Sequence, residues 1–358
     1  MSNPTTDTTR LSLAADALQV PVRLRPRWSR ILFSRDATMF YALILVIVYA
    51  YTQVPYFAST QTVGFLLLDV IPILLIAMPM ALVIITGEID LSVASTVGLT
   101  SAVMGVLFQA GVAIEIVLVL CVLLGAVLGA VNGFLVTVVG LPSLAVTIGT
   151  LALYRGFALV VIGDNAVANF PRELTRFATS KIGDTGIPTV MLIVVVVAVF
   201  FGVLLHFTPF GRSLFALGFS EDAARFVGIR VGRAKFWLFV ATGSVSSIVG
   251  IFWTLRYSSA RSDNATGIEL AVIAAVLLGG VSIFGGKGSI PGVVSGVLLI
   301  GTINYALRLD RVSDVVLSIV TGALLVASVV APSIYDGIRR RVHSRRSARH
   351  DVQKAMAA

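Results

Sequence analysis

The chain has 358 residues, of which 57% are hydrophobic and only 13% are charged; its mean hydropathy is +0.97 and its formal net charge is +9. Soluble domains carry about a quarter charged residues, so one water-soluble core cannot hide this much apolar surface. The composition predicts an all-α integral membrane protein and excludes collagen-like, disordered and disulfide-built folds. The single cysteine, Cys121, and three histidines do not form a metal-binding pattern, so we expect no metal.

Basic, polar segments flank the apolar part of the chain. Residues 1–36 carry six arginines before the first apolar run, which is too long and too polar for a secretory signal. Residues 335–358 carry seven more basic side chains. We interpret both segments as cytosolic tails beside anionic lipid and residues 37–334 as the transmembrane domain, and we expect no nucleic-acid partner.

About ten apolar runs of membrane-spanning length lie between the tails. In chain order they are Ala37–Val54, Gly64–Thr86, Leu91–Ala110, Ala113–Val139, Leu144–Ile162, Pro188–Phe207, Phe236–Arg256, Ile268–Phe284, Ser289–Ala306 and Val315–Ala331. With both termini in the cytosol, inner segments hold nineteen of the 27 Lys and Arg residues and outer segments hold seven, as the positive-inside rule requires. Small-residue pairs such as Gly125 with Gly129 and Gly292 with Gly296 predict close helix packing.

Two carboxylates, Glu88 and Asp90, lie in the short stretch Thr86–Ser92 between two of these runs. An ionised group at membrane depth costs about 2.5–3.5 kcal/mol even on lenient scales, so such groups normally face protein or water and mark a path. Asp90 could equally cap a helix that starts at Leu91. Both interpretations stay open, and both can hold at a broken helix.

The basic loop 208–235 contains signals for a short surface helix from Ser220 to Gly228. Ser220 is a good N-cap, Glu221 and Asp222 suit a first turn, and Gly228 can end the helix after about two turns. This helix is either an ordinary amphipathic connector or an element that docks on a cytosolic partner.

Two further features invite a functional interpretation. The glycine-rich stretch Gly279–Ser289 lacks the spacing of a phosphate-binding loop, so we interpret it as a sharp turn before a helix that starts near Pro291. Arg155 lies within an apolar run; we expect it to snorkel from one end of its span, or to pair with a buried acid.

Five ordered motifs resemble the membrane subunit of ATP-binding-cassette importers for simple sugars, of the ribose, xylose and arabinose type. They are Gly87-Glu88-Ile89-Asp90-Leu91-Ser92-Val93-Ala94, Ala223-Ala224-Arg225-Phe226-Val227-Gly228-Ile229, Ser259-Ala260-Arg261, Glu269-Leu270 and the stretch Gly279–Ser289. Glu88 and Ala94 replace glycines of the family pattern. The stretches 105–112 and 259–263 are most similar to the autoinducer-2 and rhamnose branch.

The resemblance implies a permease subunit in the bacterial plasma membrane that forms the path for a monosaccharide or a related solute. It implies a second permease copy or sister permease, a cytosolic ATPase that alone uses ATP, and an extracytoplasmic sugar-binding protein received by Asn165–Ile187 and Tyr257–Gly267. The chain itself would need no cofactor. The path candidates are Glu88, Asp90, Ser92, Asn132, Glu269 and Asn304, and the residues implied in ATPase coupling are Ser220, Glu221, Ala223, Ala224, Arg225 and Gly228.

The main alternative is an ion-coupled secondary transporter or a channel, because hydropathy alone does not separate these from an ATP-driven permease. Glu88, Asp90, Glu115 and Glu269 could bind a coupling ion. An enzyme is not indicated, because the spans show no nucleophile grouped with a base or with a ligand cluster.

Overall fold

The computed structural model describes residues 35–313 and 315–330. The expected tails, 1–36 and 335–358, lie outside the described residues except for Arg35 and Asp36, which begin the first helix. The helices are α1 (Arg35–Gln53), α2 (Thr60–Ile85), α3 (Val93–Gln109), α4 (Ile114–Thr137), α5 (Ser143–Ile162), α6 (Arg172–Thr179), α7 (Met191–Phe207), α8 (Pro209–Phe219), α9 (Glu221–Phe226), α10 (Val231–Tyr257), α11 (Ile268–Leu278), α12 (Ile290–Leu309) and α13 (Val315–Val330). A two-residue ribbon pairs β1 (Val167–Ala168) with β2 (Ser259–Ala260) in antiparallel fashion.

Several of these helices have the length and composition of membrane spans. Among the described residues, five are long and apolar enough to cross a bilayer alone, namely α2, α4, α5, α10 and α12. A further pair, α7 and α8, passes the same test together but bends by 68° between its two parts. The helices α1, α3, α11 and α13 are apolar but shorter. The chain is therefore an all-α, multi-pass membrane protein, while the number of ten spans stays a prediction.

Helix α2 forms the centre of the bundle. Its most apolar stretch is 89% buried, compared with 28% in α4 and 33% in α5, and it contacts α7, α10, α11 and α12. The outer faces of α4 and α5 expose Val119, Leu123 and Val160. Exposed aliphatic rows of this kind suit a hydrocarbon environment, so α4 and α5 lie at the periphery of the bundle.

Glycines allow two pairs of helices to approach each other closely. Where α4 crosses α10, a Cβ on Gly129 would overlap the backbone of Phe239, and a Cβ on Gly243 would overlap Gly125 and Gly129. Where α11 meets α12, a Cβ on Gly296 would overlap the backbone of α11. The close packing predicted from small-residue spacing is therefore confirmed at both crossings.

Two predicted spans have different bounds in the structure. The expected span Ile268–Phe284 is wrong as a continuous helix: α11 has 11 residues, about 16 Å, and ends before Gly279 and Gly280, the latter at φ +94°. In contrast, α10 begins at Val231, five residues before the predicted Phe236, and has 27 residues, about 40 Å. The extra turn places Lys235 on the helix.

Candidate translocation path and coupling site

Asp90 lies fully inside the protein, in the break 86–92 between α2 and α3. Its Oδ1 accepts hydrogen bonds from the backbone N–H of Ser92 (3.0 Å) and from the Ser92 hydroxyl (2.7 Å), and its Oδ2 accepts one from the hydroxyl of Thr242 on α10 (2.6 Å). The predicted helix start at Leu91 is two residues early, because this side-chain turn holds Leu91 and Ser92 before α3 begins at Val93. Both sequence interpretations of Asp90 therefore hold in part: it organises a turn, and it is buried at a broken helix.

The network around Asp90 extends to two more helices. The Asn132 amide on α4 donates to the Ser92 hydroxyl (2.8 Å), and the Tyr154 hydroxyl on α5 lies 3.4 Å from Asn132 Oδ1 and 3.0 Å from the carbonyl oxygen of Leu128. We call Asp90, Ser92, Asn132, Tyr154 and Thr242 the Asp90 network. All five are buried, and two hydroxyls and one backbone N–H provide the hydrogen bonds to the carboxylate, all of them neutral donors.

Three of the six path candidates thus lie in one network, and two of its members were missed by sequence reasoning. Thr242 stands in the stretch Thr242–Ser247, where small polar residues interrupt an apolar span, and this was the available signal. Tyr154 gave no comparable signal, because a tyrosine in a span is more often an interface anchor.

Glu88 does not join this network although it lies two residues from Asp90. Its Oε1 is 2.6 Å from Nζ of Lys235, and the same ammonium donates to Oε2 of Glu221 on α9 (2.7 Å). Arg225 in turn pairs with Oε1 of Glu221 (2.5 Å). We call Glu88, Lys235, Glu221 and Arg225 the Lys235 bridge; its two acids and two bases balance each other in charge.

Burial differs along the Lys235 bridge. The Lys235 and Glu88 side chains are 9% and 15% exposed, whereas those of Glu221 and Arg225 are 38% and 64% exposed. The hydrogen bond from Lys235 is the main cause that holds the pKa of Glu221 below its ordinary value, with a smaller contribution from Arg225. Glu221 is therefore an anion at neutral pH and remains paired.

The short helix predicted in loop 208–235 is present as α9. The Ser220 hydroxyl caps it by accepting from the N–H of Ala223 (3.3 Å), and Gly228, at φ +82°, ends it as expected. Its six residues fall short of the two turns anticipated. Ala224 is only 1% exposed and packs inward, whereas Phe226 is 90% exposed and Val227 76%. The most exposed side chains here are therefore two apolar residues outside the predicted coupling set, whereas Arg225 of that set is 64% exposed.

Among the described residues, Arg155 forms no ion pair with an acid and lies inside its span rather than at one end, contrary to both sequence expectations. One guanidinium nitrogen donates to the carbonyl oxygens of Ser262 (2.6 Å) and Asn264 (3.0 Å), and another donates to that of Ala94 (3.2 Å). Residue Gly98 lies against it, where a Cβ would overlap the guanidinium. Since both acceptors at 262 and 264 follow β2, this segment folds back against the middle of α5 rather than staying at its end.

The fold-back segment, residues 258–267, carries a second polar cluster. The Asn264 amide donates to Ser101 Oγ (2.8 Å), which also shares a hydrogen bond with Thr254 Oγ1 (2.7 Å). Arg261 and Asp263 form an exposed ion pair at 2.8 Å on its outer face. The middle of α3 and the C-terminal end of α10 are therefore joined to an irregular segment, which is tolerated at membrane depth where protein or a cavity surrounds it.

The remaining path candidates, Glu269 and Asn304, lie away from the Asp90 network. The Asn304 amide donates to Thr321 on α13 at 3.4 Å. Among the described residues, Oε2 of Glu269 and Oδ1 of Asn304 are buried and have no hydrogen-bond partner. Both are acceptors, so a bound solute with hydroxyl groups could satisfy them. No group of three or more His, Cys, Asp or Glu side chains that could hold a metal occurs in residues 35–313 and 315–330.

A bundle of apolar helices that is broken near a buried carboxylate is typical of membrane transport proteins. The chain belongs to the family described as branched-chain amino acid transport system / permease component, which matches residues 62–329. It is thus a permease component, and the expected family relationship is confirmed.

The names of curated relatives are more specific than the description of the family. The chain is 35% identical over 272 residues to the autoinducer 2 import system permease protein LsrD of Salmonella typhimurium, covering 74% of this chain and 81% of the relative. It is 36% identical over 286 residues to the LsrD protein of Yersinia enterocolitica, covering 76% and 86%. The corresponding Yersinia pseudotuberculosis protein is 35% identical over 293 residues, covering 78% and 87%. No solved structure matches the chain.

Proposed function

We propose that this chain is the permease of an ATP-driven importer for autoinducer-2 or a related small, hydroxyl-rich solute. The observation that carries the proposal is the 35–36% identity to autoinducer 2 import permeases over about three quarters of the chain. The buried, unpaired acceptors of Glu269 and Asn304 support it, because hydroxyl groups are the donors that such a solute offers.

The proposed topology has ten crossings, with both termini on the cytosolic side of a bacterial plasma membrane. The crossing helices are α1 to α5, α7 and α10 to α13. Their chain order supports one common side for the break at 86–92, the helices α8 and α9, and the turn at 279–289. The N–H of Gly286 donates to the carbonyl oxygen of Ile85 (2.9 Å), which brings two of these segments together.

In the proposed path, the Asp90 network forms a layer of polar side chains that bond to one another. The solute contacts the protein at the height of Glu269. Contacts between Ala275 and Gly296 and between Gly279 and Gly292 define an antiparallel packing of α11 on α12. Extended along both helices, this packing places Glu269 level with Thr302, within about 3 Å of the height of Asn304. Two unpaired acceptors at one height are consistent with one solute position.

The proposed partner on the cytosolic side is a separate ATPase that receives α9. Ser220, Glu221, Ala223, Ala224, Arg225 and Gly228 shape this helix, and the exposed Phe226 and Val227 would enter the partner. A second permease copy or a sister permease would complete the path. The extracytoplasmic binding protein would dock on α6 and the β1–β2 ribbon, within the segments 165–187 and 257–267.

The test of the proposal is uptake of labelled autoinducer-2 into cells that contain this chain, its neighbouring ATPase and its binding protein. We expect uptake to need all three and to survive collapse of the proton gradient while ATP is maintained. Uptake by this chain alone, driven by an ion gradient, would instead establish the ion-coupled alternative.

Docking through α9 is tested separately with Phe226→Ala. We expect ATP-driven uptake to fall at least tenfold while the amount of membrane-inserted chain stays constant. The matched control is Phe207→Ala, because Phe207 is also exposed (78%) but lies at the end of α7. Equal effects of the two substitutions would contradict the assignment of α9.

A further inference from the structure

The break between α2 and α3 is fastened to α10 at two heights. Asp90 accepts a hydrogen bond from Thr242, and Glu88 pairs with Lys235. Lys235 and Thr242 are seven residues apart and therefore lie on one face of α10, about 10 Å apart along its axis. The two carboxylates of the break therefore contact the same face of α10.

The two attachments differ in what else they touch. Thr242 and Asp90 are surrounded by the buried Asp90 network, which joins only elements of the bundle. Lys235 instead shares its ammonium between Glu88 and Glu221, the first residue of α9. Among the described residues, a single nitrogen therefore connects α9 to the break by two ion pairs of 2.6 and 2.7 Å.

The Lys235 attachment is short and sheltered enough to transmit a displacement. The Lys235 side chain is 9% exposed, so water competes weakly for its hydrogen bonds. Ala224, on the inner face of α9, is buried and packs the helix against the rest of the protein. Arg225 pairs with the second carboxylate oxygen of Glu221. A rotation or shift of α9 must consequently either move Lys235 with Glu88 or break a sheltered ion pair.

We infer that Lys235 and Glu88 are positioning residues that relay movement of α9 to the Asp90 network, and so couple the cytosolic partner to the path. This inference rests on the proposed function, because it requires α9 to receive the ATPase. Glu88 stands where the family pattern that this sequence resembles has a glycine, so the relay is a property of this chain rather than of the pattern. Glu88 thereby moves from the path candidates to the coupling machinery.

The experiment uses the complete complex of permease, ATPase and binding protein in proteoliposomes, with autoinducer-2 as the probe. The measured quantity is the number of solute molecules transported per ATP hydrolysed. We expect Lys235→Met and Glu88→Gln each to lower this ratio about tenfold, within the range typical of coupling between sites. Hydrolysis itself should continue, because α9 and its exposed aromatic side chain remain.

Double substitution and conservative substitution separate a relay from a structural effect. If the two residues act through each other, Glu88→Gln with Lys235→Met lowers the ratio no further than the worse single variant. Lys235→Arg keeps the positive charge and should retain most of the ratio. The matched control is Arg233→Met, which removes a positive charge two residues away on the exposed face of α10 and should leave the ratio unchanged.

The outcomes distinguish the relay from the proposed function. A wild-type complex without ATP-dependent uptake would overturn the proposed function before any variant is compared. A working wild-type complex whose ratio is unchanged by Lys235→Met would overturn the relay alone. Multiplied effects in the double variant, about a hundredfold in total, would also overturn it, because the two residues would then act independently.

Discussion

Two carboxylates separated by one residue are stabilised in opposite ways in this protein. Asp90 is 1% exposed and receives its hydrogen bonds from hydroxyl and backbone groups. Glu88 lies nearer the surface and is balanced by the ammonium of Lys235. The comparison shows two ways to stabilise a carboxylate in one break: neutral donors surround the fully buried Asp90, whereas a cation balances the partly exposed Glu88.

The largest effect is expected when the interior carboxylate is removed. Asp90→Ala leaves the N–H and hydroxyl of Ser92 without their acceptor, leaves the Thr242 hydroxyl bonded to the carbonyl oxygen of Phe239 in its own helix, and opens a small cavity. We expect a loss of about 3 kcal/mol in the free energy of unfolding, measured by detergent titration in mixed micelles. Asp90→Asn preserves the shape and should cost less; equal losses would show that the two acceptor oxygens and the charge, and not the shape, stabilise this region.

A smaller effect is expected for the hydroxyl that reaches Asp90 from α10. Thr242→Val retains the shape but removes one donor, so the same titration should show a loss of about 1–2 kcal/mol. Ser244→Ala is a suitable control, because the Ser244 hydroxyl bonds only to the carbonyl of Val240 in its own helix. A cost for Thr242→Val no greater than for Ser244→Ala would contradict the importance of the Asp90 contact.

The carboxylate at the edge should contribute less to stability than the interior one. Glu88→Gln keeps an acceptor for Lys235, and Glu221 still balances the ammonium, so we expect a loss of about 1 kcal/mol or less. Its effect on solute transported per ATP should nevertheless be large. If stability and transport fell in proportion, Glu88 would be a structural residue like Asp90 and the contrast between them would disappear.

The smallest effect concerns the exposed end of the bridge and its dependence on pH. The pKa of Glu221 lies below its ordinary value of 4.5, so its pairing contributes stability above that pH and loses it as pH falls through the lowered pKa. The difference in stability between wild type and Glu221→Gln should therefore be constant from pH 7 to about 5 and decline only below pH 4.5, as the pH falls through the lowered pKa. A difference that already declines near pH 6 would contradict the direction of this shift.

Sequence reasoning was most successful where local signals were strong. The Ser220 cap, the Gly228 stop and the helix start near Pro291 follow from residue chemistry within three or four positions. It was less successful for α11, because apolar residues continue the pattern beyond Gly279. It was also less successful for Arg155, because its carbonyl acceptors lie more than sixty residues away in the sequence. The apolar pattern of a sequence does not indicate where the backbone leaves a helix and folds back onto another one.

The sequence by itself determined a polytopic helical membrane protein with a short capped helix in its basic loop, because composition, charge and capping are local quantities. The permease assignment came from the resemblance of five ordered motifs to a known family. Only the tertiary structure decided which polar residues meet. The tertiary structure brings Asp90 into a hydrogen bond with Thr242, more than one hundred and fifty residues away in the sequence. It pairs Glu88 with Lys235 instead. These choices depend on which helix faces the break and at what height, and glycine contacts between distant helices set both.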